Sequence, residues 1–247
     1  MTASRLSVQL YTVREALADD LDGSLARLAA LGFENVEPFA FTDFPGLGAS
    51  LARHGLAAPT THAGVLAADD LSALFGAAAE LGVQTVIDPF VPPERWQSAD
   101  AVAATADALA AASEVAAEFG LRLGYHNHAH ELQNSIEGVS ALEYFAERLA
   151  PGIVLEVDTY WAAVGGVDPV GLLNRLGDRV VAIHVKDGPG TAETKDQVAV
   201  GSGSLPIRDI IDAAPDALRV IELDDSRGDR FQAVADSIRF LTEEGLA

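Results

Sequence analysis

Tyr125-His126-Asn127-His128-Ala129-His130-Glu131 is a polar cluster directly after Leu121-Arg122-Leu123-Gly124, where the sequence reads as a buried strand leaving the core. The same change of character recurs three times further on. Val154-Leu155-Glu156-Val157-Asp158, Val180-Val181-Ala182-Ile183-His184-Val185-Lys186-Asp187 and Val220-Ile221-Glu222-Leu223-Asp224 are short aliphatic runs whose last residues include a histidine or a carboxylate. Apolar strands that repeatedly end in ligand-type side chains converge in one architecture, a closed parallel barrel with its active site at the strand C-termini. The reading is α/β, a (β/α)₈ barrel.

Further candidate strands lead to Gln9-Leu10-Tyr11, Val36-Glu37, Thr60-Thr61-His62 and Val86-Ile87-Asp88, which brings the number to eight. From Glu37 onward, successive strand ends lie 25 to 38 residues apart, near the roughly 30 residues of a βα unit. The Ala- and Leu-rich stretches between them predict helices over 24–31, 44–54, 71–81, 100–119, 139–149, 169–176, 206–213 and 230–244. Leu-Gly-Phe at 31–33, Leu-Gly-Val at 81–83 and Phe-Gly-Leu at 119–121 each read as helix end, left-handed glycine and strand start. No Pro/Gly/Ser linker or low-complexity tract marks a boundary. Residues 1–247 are therefore expected to form a single domain, close to the about 250 residues typical of this barrel.

Composition narrows the functional classes. The 49% hydrophobic content of the 247 residues allows a large core, and the absence of cysteine removes disulfides, thiolate metal sites and cysteine nucleophiles. Thirty-seven acidic against 16 basic residues give a formal charge of −21, which repels phosphate backbones and anionic lipid surfaces. Nucleic acid and membrane are excluded as partners on this reading. Met1 to Leu10 lacks a basic region followed by a long apolar core, so no secretion signal is expected and the chain reads as cytoplasmic.

Residues two apart on a strand share a face. His126 and His128, Glu156 and Asp158, His184 and Lys186, and Glu222 and Asp224 therefore form same-face pairs. Charged groups pointing inward at strand ends must be paired, hydrogen-bonded or bound to metal. One His, one Asp and one Glu from adjacent strands, with a second His nearby, make a mixed N/O shell. Such a shell suits Mn²⁺, Zn²⁺, Co²⁺ or Fe²⁺ better than Mg²⁺. A structural ion-pair network among Asp158, His184 and Glu222 is the alternative.

Through nearly its whole length the chain resembles the xylose-isomerase-like TIM barrels of sugar isomerases, epimerases and related lyases. The resemblance opens with Val8-Gln9-Leu10-Tyr11-Thr12-Val13-Arg14 and Gly32-Phe33-Glu34-Asn35-Val36-Glu37-Pro38. It is most specific at Tyr125-His126-Asn127-His128, Asp158-Thr159-Tyr160-Trp161, His184-Val185-Lys186-Asp187, Val200-Gly201-Ser202-Gly203 and Ile221-Glu222. It implies one divalent metal ion at the ends of strands five to eight, with Asp158, His184 and Glu222 as three ligands. Many relatives carry a Glu on strand five where this chain has His126. His126 is the favoured fourth ligand, with Glu131 reaching back or a three-ligand site as alternatives. The resemblance also places His62 at substrate.

A divalent ion that holds a carbonyl oxygen and a neighbouring hydroxyl acidifies the adjacent C–H and stabilises the resulting enediolate. A carboxylate or imidazole then moves the proton. Candidate carriers are Glu131, His128 and Glu156, with Lys186 polarising a substrate oxygen. Glu37 reads as an inward polar group at the barrel mouth, and Trp161 as an apolar wall for a sugar ring. The Gly201-Ser202-Gly203 loop has the backbone to cradle a phosphate, although such loops are also ordinary turns.

The resulting reading is a metal-dependent sugar isomerase or epimerase of carbohydrate metabolism that acts on a small sugar or polyol. A homo-oligomer is compatible with it. A lyase or dehydratase acting on a keto-inositol or 3-keto-glycoside is the alternative on the same site. Type IV apurinic endonucleases share the barrel, but they need three zinc ions and a basic DNA face. A catalytically silent sugar-binding barrel is the non-enzymatic alternative.

Overall fold

The computed structural model describes residues 5–247. Met1–Ser4, the start of the stretch read for a secretion signal, lie outside the described residues. Seven strands curl side by side in the order Leu6–Val8, Leu218–Ile221, Val180–Val185, Val154–Asp158, Arg122–His126, Thr85–Asp88 and Thr60–His62. Every pairing among them is parallel. Helices fill the connections, as the alternating sequence pattern requires.

The strand expected at Val36-Glu37 does not form as a continuous strand. It joins its neighbours only through isolated bridges, Gln9 to Glu37 on one side and Asn35 to Ala57 and Phe39 to His62 on the other. The Glu37 N–H donates to the Val8 carbonyl at 2.8 Å, and the His62 N–H donates to the Pro38 carbonyl at 2.8 Å. Pro38 and Pro59 have no N–H to give, so no continuous ladder can form here. A few separate backbone hydrogen bonds on each side close the curled sheet at this point.

Helix ends follow the glycine signals. Leu21–Ala30, Leu71–Glu80 and Ala99–Glu118 stop just before Gly32, Gly82 and Gly120, whose φ values of 99°, 82° and 73° put them in the left-handed region. Pro169–Leu176 matches the sequence reading end to end. The helix Thr159–Val164 was hidden in the sequence because it starts on the residue after a strand; Asp158 caps it, accepting the Trp161 N–H at 2.8 Å.

Period-two alternation sorts the strand side chains. Leu123, Tyr125, Leu155, Val157, Ile183, Val185 and Ile221 join the helices in one buried hydrophobic core. Tyr125 packs there against Trp96 and Phe145, with ring centroids 5.2 and 5.3 Å away. The alternate residues turn to the barrel axis, where His126, Glu156, Asp158 and His184 meet. Among the described residues, no helix is long and apolar enough to cross a membrane.

Gly124 marks how little room the axis has. A Cβ built there would lie 2.6 Å from Ile87 Cδ1 and 3.2 Å from Val154 Cγ2. Gly124→Val is therefore expected to destabilise the fold by about 1–3 kcal/mol, read as a lower urea midpoint; an unchanged midpoint would contradict this packing.

Candidate active site

The barrel mouth is built in two polar layers. In the lower one the Glu156 Oε2 faces three imidazoles: His62 Nε2 at 2.6 Å, His184 Nε2 at 3.0 Å and His126 Nδ1 at 3.1 Å. Glu37 Oε1 lies 2.8 Å from His184 Nε2 and 3.2 Å from His62 Nε2, and accepts the Gln9 amide at 2.8 Å. The His62 and His184 rings stack with centroids 5.2 Å apart, and His126 lies 4.5 Å from His184. Glu37, Glu156 and His184 are completely buried.

In the upper layer, His184 Nδ1 lies 2.6 Å from Glu222 Oε2, so this one imidazole joins the two layers. Lys186 is a buried ammonium set among three carboxylates, 2.7 Å from Glu222 Oε2, 2.8 Å from Asp224 Oδ2 and 2.9 Å from Asp158 Oδ2. Of the trio Asp158, His184 and Glu222, His184 contacts Glu222 directly and Lys186 bridges Glu222 to Asp158. The same-face pairs also hold, since His126 contacts both Glu156 and Asp158, and Glu222 contacts both His184 and Lys186.

Side chains of opposite phase stitch the strand ends together. Asn127 accepts the Asp158 N–H at 3.0 Å and donates to the Asp158 carbonyl at 3.3 Å. Thr159 donates to the His184 carbonyl at 2.9 Å, and Thr12 accepts the Leu223 N–H at 3.1 Å. Gln197 holds Asp224 twice, at its N–H and its carboxylate, both 2.7 Å. These positioning residues were missed in the sequence. Asn127 could have been found, because it sits out of phase between two inward histidines and must face the neighbouring strand.

Burial and charge fix the protonation pattern. Burial would raise Glu156, but His184 and His62 outweigh it and hold its carboxyl well below the usual range. Burial and the Glu156 charge push Glu37 up. His184 is driven well above the usual imidazole range by Glu156 and Glu222, against the pull of burial. Burial and the nearby His184 keep His126 well below that range, so it is neutral. Burial and Lys186 bring His128 down to about 4. Burial lifts Asp158 to about 6, although Lys186 opposes the rise.

These residues fit a divalent ion. Asp158, His184 and Glu222 each offer a ligand atom, all within 4.8 Å of one another; His62, His126, Glu156 and His184 do the same. His126 Nε2 lies 3.7 Å from Asp158 Oδ2; a ligand imidazole must be neutral, so His126 is ready to bind while His184 would have to release its proton to an incoming ion. One Asp158 oxygen caps the following helix while the other faces Lys186 and His126. Glu156 stands behind His126 and His184 as the carboxylate that orients ligating imidazoles in metal sites.

A cavity of about 440 Å³ opens above, lined by Tyr11, Phe39, His62, Phe90, His126, His128, Glu222 and Asp224 among others. His62 is among the residues that line it. Trp161 stands beside it, with its ring centroid 6.1 Å from that of His128 and 5.9 Å from Lys186 Nζ. Three other expectations shift. Glu37 belongs to the lower layer of the mouth, against His62 and His184, and does not line the cavity. Glu156 sits under three imidazoles and does not line the cavity. Glu131 is turned to the helix side, where it accepts the Tyr125 hydroxyl at 2.6 Å and the His128 N–H at 2.9 Å. The chain has left its strand at His126 and turned into the short helix His130–Gln133, so strand alternation no longer governs where Glu131 points.

The chain belongs to the xylose isomerase-like TIM barrel family, whose model matches residues 8–244. It is 29% identical over 198 residues to an inosose dehydratase of Geobacillus kaustophilus, a match covering 67% of this chain and 61% of that protein. The chain thus spans about three fifths of the length of that curated relative. A sugar phosphate isomerase/epimerase from Parabacteroides distasonis superposes with a TM-score of 0.82 at 22% identity, covering 98% of this chain and 95% of the other. An IolI protein with a bound zinc atom superposes with a TM-score of 0.72 at 13% identity, covering 97% of each chain. At these identities the superpositions speak for the fold alone.

Two outcomes test the site's electrostatics. Lys186→Met leaves three carboxylates without their shared cation, so in chelator the variant should lose about 3–5 kcal/mol of stability and recover part of it with Mn²⁺. An unchanged melting temperature would contradict the network. Burial raises Glu131 from 4.5 to about 7. Between those values the folded chain holds a proton that the unfolded chain has released, so stability falls as pH rises through this window. Glu131→Gln should remove that slope; a wild-type-to-variant difference that does not change between pH 5 and 7.5 would count against it.

Proposed function

We propose that this protein is a divalent-metal-dependent enzyme that moves a proton beside the carbonyl of a small sugar or polyol, isomerising or epimerising it. One observation carries the reading: a neutral imidazole (His126), Asp158, His184 and Glu222 gather at the strand C-termini beneath a cavity with apolar and polar walls. In the bound state an ion held by these four would supply Lewis-acid polarisation of the carbonyl.

The chain's own groups account for the rest. His128 lines the cavity, is held unprotonated, and its Nδ1 has no hydrogen-bond partner. It is placed to take the proton from carbon and return it. The Lys186 ammonium, its three donors taken by Asp158, Glu222 and Asp224, holds these carboxylates in place and does not itself reach substrate. Glu156 keeps His62, His126 and His184 oriented, and Glu131 fixes the turn that presents His128. Tyr11, Phe39, Phe90 and Trp161 provide ring faces for the apolar side of a sugar.

A dehydratase outcome is the second reading, favoured by the likeness to an inosose dehydratase. Proton removal would be the same, with a β-hydroxyl then leaving as water. Incubation of the Mn²⁺-loaded protein in D₂O with ketopentoses, ketohexoses and inososes separates the two. Isomerisation or epimerisation should give a new isomer whose mass exceeds that of the substrate only by incorporated deuterium, whereas dehydration lowers the mass by one water. Absence of both deuterium uptake and mass change across the panel would overturn the enzymatic reading.

A further inference from the structure

The loop Val200-Gly201-Ser202-Gly203-Ser204 has the backbone for a phosphate cradle, but it is filled from within. Asp187, just past the strand Val180–Val185, buries its carboxylate in that loop. Its Oδ2 accepts the N–H groups of Gly201 and Gly203, both at 2.9 Å, and its Oδ1 accepts those of Gly188 at 2.8 Å and Leu205 at 3.1 Å. A Cβ at Gly203 would collide with the Asp187 Oδ1 and the Gly188 N, so the loop has closed tightly on this internal anion. In barrels of this architecture the loops after the last two strands are where a substrate phosphate commonly docks. Here those donors are already committed.

Among the described residues, no free cation at the cavity takes their place. None of the residues lining the cavity is Arg or Lys. Lys186 is shared by three carboxylates. Arg14 lies behind Tyr11, 4.1 Å from its ring centroid, and donates to the carbonyls of Tyr11 and Asp224. Arg230 is paired with Asp225 and Glu15. A divalent ion would be matched by the charges of Asp158 and Glu222, so it adds no surplus for an anion. The −21 field of the whole chain acts in the same direction.

We propose that the substrate is an uncharged polyhydroxy ketone or aldehyde, and that phosphorylated and carboxylated sugars are rejected. The proposal rests on the reading of this cavity as the substrate site. Glu222, Asp224, His62 and His128 offer acceptors and donors for hydroxyl groups. Tyr11 and Phe90, 40% and 52% exposed, offer ring faces at the mouth.

Matched pairs test this on the Mn²⁺-loaded full chain: D-ribulose against D-ribulose 5-phosphate, and D-fructose against D-fructose 6-phosphate. Binding is measured by equilibrium dialysis and deuterium uptake by mass spectrometry. The neutral member of a pair should bind at least about tenfold more tightly than its phosphate, and orthophosphate should not compete with it. Phosphates that bind equally or better, saturable displacement by orthophosphate, or binding of neither member of either pair would overturn the proposal. Neutral sugar bound without deuterium uptake would strike the proton-transfer reading while supporting the charge preference.

Discussion

A carboxylate taken out of water must meet a countercharge or a proton, and this requirement shapes the whole barrel mouth. Glu37, Glu156, Asp158 and Glu222 are all buried there, together with His62, His126, His184 and Lys186. They are tolerable only because each is held by neighbours that carry the opposite charge or a shared proton. Such a cluster is a weak source of stability, since the desolvation penalty offsets much of the attraction. Its presence is better understood as preparation for chemistry than as reinforcement of the fold.

That preparation depends on side chains that never touch the cavity. Asn127 grips the Asp158 peptide from the next strand, Thr159 holds the His184 carbonyl, and Gln197 fixes Asp224. Asp158 divides its two oxygens between a helix cap and the charged cluster. Each strand end is thereby locked to its neighbour, and the ligand-type atoms converge without help from flexible loops. The family's likeness to both isomerases and dehydratases is then intelligible. On the proposed reading, proton removal beside a carbonyl would be common to them, and the groups around the cavity would decide whether the proton returns or a hydroxyl departs.

Much of this was legible in the sequence. The period-two rule paired Glu156 with Asp158, His184 with Lys186 and Glu222 with Asp224, and the structure keeps each pair on the barrel axis. Gly32, Gly82 and Gly120 marked where helices end. Failures came where local rules give way to tertiary ones. Pro38 and Pro59 withdrew the N–H groups that a full ladder at Glu37 needs. Glu131 lies past the strand, where the turn reverses the face. The role of Lys186 emerges only once three strand ends are adjacent, and Asp187 looked like the tail of a strand until the 201–205 loop folded onto it.

If the upper cluster is a metal centre, a cation must sit among its carboxylates and imidazoles. Anomalous diffraction at the manganese edge, from crystals grown with Mn²⁺, addresses this most directly. One manganese per chain held by Asp158, His184 and Glu222, with His126 beside it, is the expected result. A cluster without a peak, or a peak held by His62 and Glu156 in the lower layer, would contradict the assignment.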